Sequence, residues 1–243
     1  MSRDLLFTPP AGDPPIPELP PLTNGDHLDQ PTFHARYEAM PADFRAELIE
    51  GVVIVSSPQS TLHGIVQRIV NGWLWYYEVH TPGTQGAMNF TNILGMRSEP
   101  EPDCGLWIAP AFGGRTRPVG KYTAGPPELL AEVSLSSEAY DLHSKKRDYE
   151  RAGVLEYLVV MLREQRVVWF VLRDGRYAEM PPDSDGIYRS TVFPGLWLDP
   201  QALLSQDSPK LLETLHRGLA DPSHQAFIDR LKNASTAEPH QPE

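Results

Sequence analysis

A single cysteine, Cys104, among 243 residues leaves no partner for an internal disulfide and excludes a cysteine-built zinc cluster within one chain. It reads as a small buried hydrophobe. No apolar run approaches the roughly 18 residues that a bilayer-crossing helix needs, and MSRDLLFTPP lacks the apolar stretch of a secretory signal. A cytoplasmic protein with no membrane partner is expected. Basic residues are scarce too: 21 Lys and Arg face 32 Asp and Glu, for a formal charge of -11. That balance excludes a general electrostatic affinity for nucleic acid, which rests on cations displacing counterions from phosphates. The excess is uneven, with -4 in residues 1–30, -2 in residues 205–243 and -5 between them. There is no internal repeat and no heptad run. The Gly-Gly-Arg at 113–115 is no phosphate-cradling loop, because the terminal Gly-Lys-Ser/Thr and the helix after it are missing.

What remains is 40% hydrophobic, enough for one core of ordinary domain size with material left for tails. Seven prolines fall between Pro9 and Pro21, so residues 1–30 read as a disordered Pro-rich arm. Residues 31–204 form the expected domain, and residues 205–243 a C-terminal helical extension and tail. A short helix is expected over Phe33 to Ala39, and AELIEGVVIV turns at Gly51 into a β-branched strand. The most regular pattern follows, with Leu62, Ile65, Val66, Ile69, Val70, Trp73, Leu74 and Tyr77 at helical spacing after a Ser60 or Thr61 cap. His63, Gln67 and Asn71 make a polar stripe beside that face. It is either solvated surface or, at His63 and Gln67, the lining of a site.

Short strand-like pieces alternate with turns from Gly83 to Pro110, and a Gly- and Pro-rich loop carrying Arg115, Arg117 and Lys121 runs from Phe112 to Pro126. From Pro126 to Met161 an apolar strand, a turn, a helix stopped by Gly153 and a second apolar strand compose one βαβ unit. Arg173-Asp174-Gly175 signals a hairpin, Pro194-Gly195 follows an edge strand, and Leu211 to Leu231 forms one or two closing helices.

Three carboxylates border or interrupt strand-like segments: Glu47, Asp103 and Glu132. A charge inside an apolar strand is either a strand-end group facing solvent or one held by a compensating partner. Asp141, Lys145 and Asp148, at i, i+4 and i+7, are expected on one helix face, with Lys145 turned back toward the strand. Two acids and a lysine suit metal-assisted phosphodiester cleavage, where a hard ion takes oxygen ligands and the lysine steadies a water or a phosphate oxygen. Taken alone, such trios also occur as surface ion pairs.

The order of ELIEG, SPQSTLHGIV, EPD, PPELLAEV, DLHSKKRDYERAGVLEYLVV and FPGLWL resembles the Uma-type putative restriction endonuclease family of the PD-(D/E)xK nuclease superfamily, over roughly Pro31 to Leu204. The resemblance implies an α/β restriction-endonuclease-like core, a mixed β-sheet flanked by helices, here with an added β-hairpin and C-terminal helices. It implies a magnesium-dependent cut in DNA, with manganese able to substitute. Asp103 and Glu132 match the family's acids, Glu47 in ELIEG matches the first-motif acid, and Lys145 stands in the D-L-x-x-K pattern where Ser134 replaces the strand lysine. SLSSE stands where the family usually has LSPST, and Met161 where it has an aspartate.

The expected roles are therefore catalysis by Glu47, Asp103, Glu132 and Lys145, and metal ligation by Asp103, Glu132 and the Val133 carbonyl. Substrate contacts are expected from His63, Gln67, Arg115, Arg117, Lys146 and Arg147. A homodimer would let two sites cut two strands. The alternative is a catalytically silent nuclease fold serving as a binding or assembly module, with Glu132 paired to Lys145. A glycosidase-type carboxylate pair leaves the lysine without a role.

Overall fold

The computed structural model describes residues 19–135 and 137–236. In chain order these form α1 (Gln30–Glu38), the hairpin β1 (Ala46–Ile49) and β2 (Val52–Val55), α2 (Thr61–Val79), β3 (Thr84–Met88), β4 (Asn92–Ile93) and β5 (Cys104–Ile108). A second hairpin, β6 (Arg117–Val119) and β7 (Tyr122–Ala124), precedes β8 (Leu129–Ser134). Then come the short α3 (Glu138–Tyr140), a π turn over Asp141–Lys145, α4 (Lys146–Ala152), β9 (Glu156–Met161), β10 (Arg166–Arg173) and β11 (Arg176–Met180). The small pair β12 (Tyr188–Arg189) and β13 (Trp197–Leu198) and the helices α5 (Pro200–Leu204), α6 (Ser208–Leu219) and α7 (Pro222–Thr236) close the chain.

The fold is mixed α/β. Its main sheet has six strands in the order β11-β10-β9-β8-β5-β3. Only β8 and β9 run parallel, as the crossover through α4 requires, and the other neighbours are antiparallel. Gly153 ends α4 in the left-handed region at φ +84°, where its N–H bonds back to Tyr149 and Glu150 and the chain turns into β9. β8 and β9 are buried at every residue, so they read as continuous apolar runs in which two carboxylates stand out, Glu132 within β8 and Glu156 at the start of β9.

Helices cover both faces of the sheet. On one, α2 delivers Val66, Val70, Trp73 and Tyr77 against Ala131, Val133, Leu158 and Trp169, joined by Leu211, Leu215 and Phe227 from α6 and α7. Each such side chain removed fully from water contributes on the order of 1.5–3 kcal/mol. On the other face, Tyr149 of α4 packs with Leu130, Tyr157, Val159 and Phe170. The α2 face differs from the periodicity at its first turns. Leu62 and Ile65 stay more than a third exposed, at 39% and 37%, because His63, Val66 and Gln67 take the inward positions.

A third cluster, Leu22, Phe33, Ala46, Leu48 and Val53, anchors the β1–β2 hairpin. Residues 19–29 thus pack rather than trail as the arm's composition predicts: Leu22 is buried, and the Gly25 N–H donates to the Val53 carbonyl. The rest of the expected arm, residues 1–18, lies outside the described residues. The loop expected from Phe112 to Pro126 contains the β6–β7 hairpin, which pairs with β4. The strand expected at an edge near Tyr188 pairs with Trp197–Leu198 in a sheet of its own. No described helix is long and apolar enough to cross a membrane.

Candidate active site

The register of the two central strands sets the first pair of acids. Cys104 of β5 faces Ala131 of β8, so continuing the antiparallel pairing by one residue sets Asp103 opposite Glu132. The Asp103 N–H points at Glu132 Oε2, 3.4 Å away, and Asp103 Oδ2 accepts the Val133 N–H at 2.7 Å. Both residues are buried.

The lysine arrives from the helical segment beyond. A π turn, closed by i→i+5 hydrogen bonds, carries Asp141 and Lys145 toward the strand end. Lys145 Nζ lies 3.0 Å from Glu132 Oε1 and 3.1 Å from Glu47 Oε2. Glu47 comes from β1, where its Oε2 also accepts the Glu101 N–H at 3.2 Å. One ammonium therefore bridges two buried carboxylates from distant segments. Asp148, expected on the same helix face, is not among them. It lies in α4 beyond the π turn and instead accepts the Ser98 hydroxyl at 2.6 Å.

Burial disfavours the Lys145 ammonium, but Glu132, Glu47 and Asp141 outweigh it and raise its pKa well above the ordinary lysine value. Burial also pushes Glu132 well above the carboxylate range; Lys145 opposes this, while Asp103, Asp141 and Glu47 add to it. Glu47 is raised by burial, with Lys145 again opposing. The cleft is lined by five acids, Glu47, Glu101, Asp103, Glu132 and Asp141, against Arg45, His63 and Lys145.

His63 and Gln67 both face Asp103. His63 Nε2 is 3.2 Å from Asp103 Oδ1. Burial lowers the His63 pKa, but Asp103 overrides it, for a net rise. Gln67 is buried and donates to the Asp103 carbonyl at 3.1 Å and to Asn89 Oδ1 at 2.6 Å, so it braces the acid rather than opening onto the cleft. The other expected contacts lie elsewhere. Arg115 is tied to Glu128 and to the Gly153 carbonyl, Arg147 to Glu50 at 2.8 Å, and the Lys146 ammonium sits 4.3 Å over the Phe170 ring. Arg117 is exposed on the β6–β7 hairpin. None of these lines the cleft of about 740 Å³ onto which Glu47, Asp103, Glu132 and Lys145 open.

Sequence reasoning missed Tyr149, whose hydroxyl donates to Glu132 Oε1 at 2.8 Å, and Tyr140, whose ring lies 5.8 Å from Lys145 Nζ. The spacing of Tyr149 from Lys145, i and i+4, would have found the first. Among the described residues no three His, Cys, Asp or Glu side chains group closely enough to hold a metal by themselves. Asp103 and Glu132 with the Val133 carbonyl offer two carboxylates and a neutral oxygen. That donor set fits magnesium, which uses one or two carboxylates and keeps several waters. Burial and the neighbouring acids raise the Glu132 carboxyl, and a bound cation would favour its ionised form.

A family model described as putative restriction endonuclease, Uma2, matches residues 31–201. Among solved structures, the chain is similar to a putative nuclease belonging to DUF820 from Anabaena variabilis, at 14% sequence identity and a TM-score of 0.55. The likeness covers 70% of this chain and 96% of the other, and it shows the fold. No curated protein matches the sequence.

Proposed function

The chain belongs to the Uma2 putative restriction endonuclease family, and from that premise we propose that it is a metal-dependent endonuclease hydrolysing phosphodiester bonds in DNA. The observation that carries the proposal is the Lys145 ammonium bridging Glu132 and Glu47 beside Asp103, in one cleft built from four separate segments. Asp103, Glu132 and the Val133 carbonyl would hold a magnesium or manganese ion, which when bound polarises phosphate and acidifies water. Lys145 keeps its proton, since three carboxylates hold its pKa above the ordinary value. Its role is therefore to donate to a phosphate oxygen and stabilise charge there, not to accept a proton from water. Glu47 also holds the Lys145 ammonium, at 3.1 Å. His63 and Gln67 fix the Asp103 carboxylate and carbonyl.

Supercoiled plasmid incubated with the protein and magnesium or manganese tests the reading. Nicking that disappears with chelator and in Asp103→Ala is expected, and no nicking under either metal would reject it.

One observation favours a second reading, a catalytically silent binding module. Every carboxylate oxygen of Asp103 and Glu132 already has a donor within the protein, from His63, the Val133 N–H, Lys145, Tyr149 and the Asp103 N–H. A fully satisfied polar network needs no ion for its stability. Calorimetry separates the two readings: magnesium binding that is lost in Glu132→Gln supports the enzyme, and no binding by the unaltered chain supports the module.

A further inference from the structure

Beside the cleft, and sharing Arg45, Asn89 and Glu101 with it, lies a second pocket of about 590 Å³. Four half-buried aromatic rings line it: Tyr37 of α1, Phe44 from the loop before β1, Phe90 after β3 and Tyr122 of β7. Each packs partly against the protein, as Tyr37 does on Phe33 at 5.5 Å between ring centroids, and leaves the rest of its surface open. A core accounts for the packed part of these rings but not for their shared opening.

The charges of the pocket are paired off. Lys121 is 3.1 Å from Glu38, which also accepts the Tyr122 hydroxyl, and Arg45 is 4.0 Å from Glu101. Phosphate would find little surplus positive charge here. A flat, uncharged heteroaromatic ring suits the pocket, since aromatic walls stack on it and a few polar groups can meet its edge.

The pocket is also fixed to the candidate active site. The Asn89 N–H donates to the Asp103 carbonyl at 3.2 Å, and Gln67 bonds both the Asn89 side chain and that same carbonyl. Whatever occupies the pocket is held in register with Asp103.

We propose that this pocket receives an unpaired nucleobase of the DNA strand whose phosphodiester lies in the cleft. The proposal rests on the nuclease reading for the identity of the strand. Pairing hides a base inside the duplex, so the pocket selects single-stranded or mispaired DNA over a perfect duplex. It also supplies what the composition lacks. In a chain of net charge -11, stacking replaces much of the phosphate attraction that a basic surface would provide.

The test uses the full chain and a single-stranded oligonucleotide carrying 2-aminopurine, titrated in chelator, with cleavage followed separately in manganese. Stacking on the pocket should quench the fluorescence. Tyr122→Leu and Phe44→Leu should each weaken binding about tenfold, the scale of one lost stacking partner, while Tyr122→Phe retains it. A fully paired duplex with the probe at the same position should bind at least about tenfold more weakly than the single strand, a comparison that needs no variant. No quenching by the unaltered chain, equal binding of strand and duplex, or full affinity in both leucine variants would each overturn the pocket. Cleavage by the unaltered chain in those cases would leave the nuclease reading standing. Quenching that depends on Tyr122 without any cleavage would keep the pocket and remove the nuclease.

Discussion

Lys145 Nζ and Glu132 Oε1 stand 3.0 Å apart across thirteen residues of sequence, both side chains almost wholly shielded from water. With Glu47 Oε2 3.1 Å from the same ammonium, two carboxylates share one buried cation. Breaking such a group costs more than forming it gains, because what is left behind is unpaired charge.

Lys145→Ala is therefore expected to act on both activity and stability. Cleavage should fall at least about 100-fold with loss of the phosphate donor. Unfolding free energy should fall by about 3–5 kcal/mol near neutral pH. The stability loss should shrink toward pH 5. Glu132 and Glu47 already have raised folded-state pKa values, and protonating them removes the charge that the lysine balanced. Urea unfolding at pH 5 and pH 8 measures it.

Asp148 should set a separate pH dependence. Burial pushes its carboxyl up to about 6, against the hydrogen bond from Ser98. A carboxyl raised in the folded state stabilises most below its unfolded pKa, and that contribution is lost as pH rises through the folded value. Its contribution should thus fall by roughly 3 kcal/mol between about pH 4 and pH 6, from a shift of about two units. Asp148→Asn keeps an acceptor for Ser98 and removes the titration. The stability difference between the two proteins should vary with pH across that window and be flat above it.

Tyr149→Phe removes one donor from Glu132 and nothing else of size. A buried carboxylate oxygen that loses a partner costs about 1–3 kcal/mol, which a thermal melt would record. Because Lys145 still holds the same oxygen, metal binding should survive; its loss would mean that Tyr149 fixes the carboxylate geometry outright.

The fold and the chemistry were legible in the sequence to different depths. Glu132 stood out because a carboxylate inside LLAEVS has no reason to be there without a partner, and the DLHSK spacing pointed Lys145 at it. Asp148 finds its partner in Ser98, 50 residues away in sequence, and helix spacing alone does not name that partner. The β6–β7 hairpin reads as loop because its strands are three residues long, with Pro118 inside the first and Gly120 in the turn between them, and these two residues dominate any local reading. Arg115, Lys146 and Arg147 are expected as substrate contacts on charge alone. Their ion pairs and the Phe170 contact depend on neighbours distant in sequence, as do the aromatic walls that four separate segments bring together.

The measurement that bears most directly on the cleft as a metal-dependent active site is nicking of a supercoiled plasmid across a manganese titration, with the unaltered chain, Asp103→Asn and Lys145→Ala run together. Saturable, metal-dependent nicking by the unaltered chain and its loss in both variants is the predicted result. Nicking that persists in Asp103→Asn at the rate of the unaltered chain, or that never rises with metal, would contradict it.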